Sequence, residues 1–122
     1  MRKIEIARLL AQSGRQDVVI ASYTEQNFPC LLLAGVQTIY PICFRVQLKL
    51  MPQDHVFTIG RDKACDFMTP LNMRISRVHC YIEKCDDGIF RVHDISKFGT
   101  EVVPEKKKKT FREKIQNIFA SL

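Results

Sequence analysis

The sequence predicts an all-β fold, an antiparallel β-sandwich with short helical additions at the N- and C-termini. Three observations predict it. Apolar and polar residues alternate with period two over residues 44–50 and again over 78–83, as in a strand with one buried face. Asp86-Asp87-Gly88 stands between two such runs, and Asp-Gly tolerates the positive φ of a tight hairpin turn. Residues 42–103 hold several short strand-like runs and no long helical period.

The elements follow in chain order. Ile4, Ile6, Ala7, Leu9, Leu10 and Ala11 sit among charged residues and are followed by Gly14, which predicts a short amphipathic helix stopped at a glycine. Val18-Val19-Ile20 and Cys30-Leu31-Leu32-Leu33 each suit a buried strand. Phe44, Val46, Leu48 and Leu50 alternate with Arg45, Gln47 and Lys49, which predicts a strand. Met51-Pro52-Gln53-Asp54 then reads as a turn and Val56-Phe57-Thr58-Ile59 as the return strand. Val78, Cys80 and Ile82 alternate with Arg77, His79, Tyr81 and Glu83, and residues 89–95 form the partner across the Asp-Gly turn. Phe111, Ile115, Ile118, Phe119 and Leu122 make a helical stripe near the end of the sequence. The expected organisation is therefore an extension over residues 1–41, a sandwich over 42–103 and a basic, helical tail over 104–122.

Composition narrows the function classes. A chain of 122 residues has room for one domain, which excludes any two-domain enzyme of ordinary size. The longest nearly unbroken apolar run covers residues 28–36, far short of the ~20 residues of a spanning helix. No secretory apolar region follows Arg2 and Lys3, and five cysteines without framework spacing read as free thiols in a reducing compartment. The net charge of +6 is unevenly placed. Residues 1–40 and 41–103 each carry +1, whereas residues 104–122 carry +4, mostly from Lys106, Lys107, Lys108 and Lys109. The run is read first as a solvated stretch, with a nuclear-localisation signal or an anionic docking patch, including a weak contact to nucleic acid, as the alternative, and not as the mark of a nucleic-acid-binding domain.

Three segments carry the chemistry. Gly60-Arg61-Asp62-Lys63 leaves a strand, Ser76-Arg77-Val78-His79 enters one, and Ser96-Lys97-Phe98-Gly99-Thr100 forms a turn after a third. All three fall where a sandwich presents its binding loops. They supply Arg61, Ser76, Arg77 and Lys97: a guanidinium fork, a hydroxyl and further cations, which suit a dianionic phosphate. Catalysis is not expected, because no partner with triad spacing stands beside His79 and no phosphate-cradling glycine loop exists. A zinc site is not expected either: His79 and Cys80 are adjacent on a strand and point to opposite faces. No cofactor is called for.

These motifs, Gly60-Arg61, then Ser76-Arg77-Val78-His79, then Gly99-Thr100, resemble those of the forkhead-associated (FHA) domain family in order and spacing. Residues 60–66, GRDKACD, are most similar to the FHA domains of the checkpoint effector kinases, and residues 96–100, SKFGT, to the nibrin family. The resemblance covers about residues 42–103. It implies an FHA-type sandwich that binds a phosphothreonine-containing segment of a partner protein, in nuclear signalling or the DNA-damage checkpoint response. Arg61 would grip the phosphate, Ser76 would donate a hydrogen bond to it, and Arg77, Lys97 and Lys63 would add contacts or attraction. Gly60, His79, Gly99 and Thr100 would brace the loops. Phe98 stands where the family usually has an Asn that holds the peptide backbone. The family's domain also continues through further strands after the Gly-Thr turn, where this chain runs into Pro104-Glu105-Lys106. Either residues 1–40 supply the closing strands or the chain is a truncated product. A truncated or degenerate domain with an assembly role and no phosphopeptide binding is the alternative reading.

Overall fold

The computed structural model describes residues 1–103. The expected helical stripe of residues 111–122 and the lysine run at 106–109 lie outside these residues. An opening helix, α1 (Lys3–Ser13), is followed by β1 (Val18–Thr24), β2 (Cys30–Leu33) and β3 (Gln37–Ile39). A 3₁₀ turn (Pro41–Phe44) and α2 (Arg45–Leu50) come next. Then follow β4 (Val56–Gly60), β5 (Phe67–Met68), β6 (Cys80–Lys84), β7 (Ile89–Asp94) and β8 (Thr100–Val103).

The strands form a five-stranded sheet in the order β1-β7-β6-β4-β5 and a three-stranded sheet in the order β3-β2-β8. The pairs are antiparallel except β4 with β5, which run parallel. The first 41 residues contribute strands to both sheets: β1 pairs with β7, and β2 pairs with β8. The sandwich therefore spans the expected division at residue 41.

The alternation of the sequence explains the two layers of core. Phe57 and Ile59 of β4, Cys80 and Ile82 of β6, and Phe90 and Val92 of β7 join Leu31 and Leu33 of β2 in the main core. The intervening residues face the other way. Val56 and Tyr81 pack with Ile6 of α1 and with Ile95, so α1 covers the outer face of the larger sheet. Burying a side chain such as Ile6 contributes about 1.5–3 kcal/mol. Gly14 stops α1 in the left-handed conformation at φ 66°, returning its N–H to the Leu10 carbonyl, as the sequence predicts.

Two expectations are corrected. Phe44, Val46, Leu48 and Leu50 do not lie on a strand; the chain is helical from Pro41 to Leu50. Four apolar residues at i, i+2, i+4 and i+6 also contain two i, i+4 pairs, each of which shares a helix face. Phe44 and Leu48 are the buried pair, with Phe44 stacked on Phe57 at 4.6 Å between ring centroids. Val46 and Leu50 face solvent, 67% and 77% exposed. Pro41 at the start of the 3₁₀ turn favours the helical entry. Second, Val18 and Val19 form a strand, but among the described residues β1 is the edge of its sheet and both side chains are exposed.

Candidate functional site

The site forms where β4, β6 and β7 end on one side of the larger sheet. Residues 61–66 leave β4 and fold back against it. Thr58 Oγ1 accepts the Asp66 N–H at 3.0 Å, and the Asp66 carboxylate accepts the Thr58 N–H at 2.8 Å. The β4 end lies directly against the entry to β6. A Cβ at Gly60 would stand 2.1 Å from the Arg77 carbonyl oxygen, so only glycine fits there. This contact sets the register of the first two loops: Arg61 N–H and Asp62 N–H reach the carbonyls of Ser76 and Arg77.

The third loop is held by its own side chains. Asp94 Oδ1 accepts the hydroxyls of Ser96 at 2.6 Å and Thr100 at 2.9 Å. Ser96 Oγ in turn accepts the Gly99 N–H at 2.8 Å. Gly99 takes φ 92°, a conformation that favours glycine.

His79 ties the second and third loops together. Its Nδ1 accepts the Ser76 N–H at 3.1 Å, and its Nε2 donates to the Gly99 carbonyl at 2.8 Å. A backbone N–H on one nitrogen and a carbonyl on the other demand the neutral ring with its proton on Nε2. Burial holds the His79 pKa below its ordinary value, consistent with that form.

Arg61 and Ser76 are fixed in the same region. Arg61 Nε donates to the Ile75 carbonyl at 2.8 Å. Ser76 is nearly buried, and its Oγ accepts the Lys97 N–H at 3.1 Å and Arg15 Nη1 at 2.9 Å. A hydroxyl oxygen that accepts two hydrogen bonds has its own proton left to donate. The Ser76 hydroxyl is thus preset as a donor.

A cleft of about 480 Å³ opens over these groups. Its walls include Arg15, Arg61, Arg74, Arg77 and Lys97, and among the described residues no acidic one. Phe98 forms part of the rim, 51% exposed, with Arg74 Cζ at 5.6 Å and Lys97 Nζ at 5.5 Å from its ring centre. Each distance is within cation–π range. Five of the six expected binding residues (Arg61, Ser76, Arg77, Lys97 and Phe98) therefore line one cleft. Lys63 does not; it is exposed on the loop after β4. Gly60, His79, Gly99 and Thr100 lie behind the cleft in the contacts described.

Sequence reasoning missed Arg74 and Arg15. Arg74 carried a local signal, two positions before Ser76 in the same loop. Arg15 carried none. It reaches Ser76 across 61 positions of sequence, from the linker between α1 and β1.

The FHA domain family model matches residues 57–117, a stretch that starts in β4 and takes in all three loops but not Arg15. No curated protein matches the chain at a significant level.

Proposed function

The chain belongs to the FHA domain family of phosphopeptide-binding interaction modules, and we propose that it docks a phosphothreonine-containing segment of a partner protein in nuclear signalling or the DNA-damage checkpoint response. FHA domains are interaction modules rather than enzymes. In this reading the phosphate sits over Ser76, accepts a hydrogen bond from its hydroxyl, and is gripped by Arg61. Arg77 and Lys97 add charge from the walls, and Lys63 attracts the ligand from outside the cleft. The observation that carries the reading is the state of Ser76 Oγ, which accepts from the Lys97 N–H and from Arg15 in a cleft that the described residues line with cations and no acid. Charge-assisted hydrogen bonds to a phosphate contribute about 1.5–3 kcal/mol each. Three or four of them, less the cost of ordering the peptide, suit micromolar binding, about −8 kcal/mol.

The lysines at 106–109 support the nuclear part of this reading, being a basic run of the localisation type. Among the described residues no helix is long and apolar enough to cross a membrane. The alternative of a degenerate domain without ligand is not favoured. Phe98 lacks the amide of the family's usual Asn, yet its ring is an exposed platform flanked by two cations.

The test is fluorescence anisotropy with a phosphothreonine peptide library and matched threonine peptides. Phosphorylation-dependent binding that Arg61→Ala abolishes is the expected result. A folded protein that binds both peptide sets equally, or neither, would overturn the proposal.

A further inference from the structure

Resting on the phosphate-reading function above, we propose that Arg15 is a second guanidinium on the ligand's phosphate, so that the linker after α1 is part of the binding site. Arg15 Nη1 lies 2.9 Å from Ser76 Oγ and 3.4 Å from the Ile95 carbonyl oxygen. These contacts use one of the three guanidinium nitrogens. Among the described residues, no carboxylate forms an ion pair with Arg15. Nε and Nη2 therefore keep their donors for a ligand, and the side chain lines the cleft itself.

Geometry puts those donors in range. A phosphate oxygen accepting the Ser76 proton at ~2.7 Å, at a tetrahedral angle about Oγ, stands about 4.6 Å from Arg15 Nη1. The other oxygens of the same phosphate can approach closer. A guanidinium at this separation attracts a dianion across the open cleft, an attraction that salt screens because Arg15 is exposed.

The linker holds Arg15 there from both sides. Gly14 turns the chain out of α1 one residue earlier. Asp17, two residues later, is bound by the Tyr81 hydroxyl and by His93 Nδ1, the latter at 2.7 Å. Arg15 thus spans two anchored points, which lowers the entropy lost when it closes on a ligand. The competing role is a tether, in which Arg15 only fastens α1 to the sheet. A tether would change stability without sensing phosphate.

The experiment uses the whole chain and a phosphothreonine peptide that binds the wild type. The Nε–H resonance of Arg15 is followed by NMR during titration with this peptide and with its unphosphorylated twin. In parallel, the affinity and Tm of Arg15→Gln are compared with wild type at low and high NaCl. The proposal expects the Arg15 resonance to move with the phosphopeptide alone. It also expects Arg15→Gln to bind at least about tenfold more weakly, with the deficit shrinking as salt screens the charge. An Arg15 resonance that stays put while the peptide binds overturns it, as does an affinity within twofold of wild type. The resonance is read in the wild type, so a destabilised variant does not blunt the test. A folded wild type that binds no phosphopeptide fails one step earlier, at the function itself.

Discussion

His79 Nε2 lies 2.8 Å from the Gly99 carbonyl oxygen, while Nδ1 of the same ring receives the Ser76 N–H. One buried side chain therefore fixes the distance between the loop that carries Ser76 and the loop that carries Lys97. Both loops then converge on a single oxygen, Ser76 Oγ, which also accepts the Lys97 N–H. Arg77 and Lys97 are exposed and Arg61 half-buried, whereas Ser76 and the His79 ring behind them are buried and hydrogen-bonded. This is preorganisation by hydrogen bonds behind the surface.

The brace predicts a pH dependence. Burial holds the His79 ring below its ordinary pKa of 6.5. Below that pH the unfolded chain binds a proton that the folded ring refuses until the pH is lower still. Stability is therefore fully present above pH 6.5 and falls as the pH drops toward the folded value, by up to about 1.4 kcal/mol per unit. His79→Leu should cost about 2 kcal/mol or more near neutrality, because the Ser76 N–H and the Gly99 carbonyl both lose their partner. It should also flatten this slope. Urea unfolding of both proteins at about pH 7.5 and about pH 5.5 measures it, and equal slopes would contradict the assignment.

Arg61 and Ser76 should separate in degree. Arg61 brings a charge and a fork of donors, so Arg61→Ala should weaken micromolar phosphopeptide binding by about a hundredfold or more, enough to abolish it in an anisotropy titration. Ser76→Ala removes one hydroxyl and should cost about tenfold. The serine change also leaves the Lys97 N–H without its acceptor, so the loop of residues 96–99 should exchange amide hydrogens faster. Anisotropy titrations rank the two variants. A Ser76→Ala loss as large as that of Arg61→Ala would mean that loop order outweighs the direct contact.

Gly60→Ala should be disproportionately harmful for a single methyl. The added carbon would stand 2.1 Å from the backbone oxygen of Arg77, which no side-chain rotation relieves. Overpacking of this kind costs about 1–3 kcal/mol. Phosphopeptide affinity should fall with it, since the same contact holds Arg61 against Ser76. Thermal unfolding and anisotropy together check both halves. A variant with wild-type Tm would show that the two loops can part without cost.

The legible parts of the fold were those with local causes. Asp86-Asp87-Gly88 sets its own hairpin, and β6 and β7 pair across it. Gly14 stops α1 through its own φ. The three loop motifs were visible because each carries its glycine, serine or histidine in place. The two-residue strand β5 was not visible, because its parallel pairing with β4 depends on how residues 61–66 fold back. Arg15 was not visible because only the packing of α1 on Val56, Tyr81 and Ile95 brings its linker to the cleft.

The misread segment supplies the last prediction. On a strand, Val46 and Leu48 would share one buried face, and a charge at either would be equally damaging. On α2 they diverge: Leu48 has no exposure, whereas Val46 is 67% exposed. Leu48→Ala should therefore cost about 2–4 kcal/mol, since Leu48 lies in the main core with Phe44 and Phe57. Val46→Lys should shift stability by less than about 0.5 kcal/mol. Urea denaturation of the two variants distinguishes the cases. Comparable losses at both positions would return residues 44–50 to the strand that their alternation suggests.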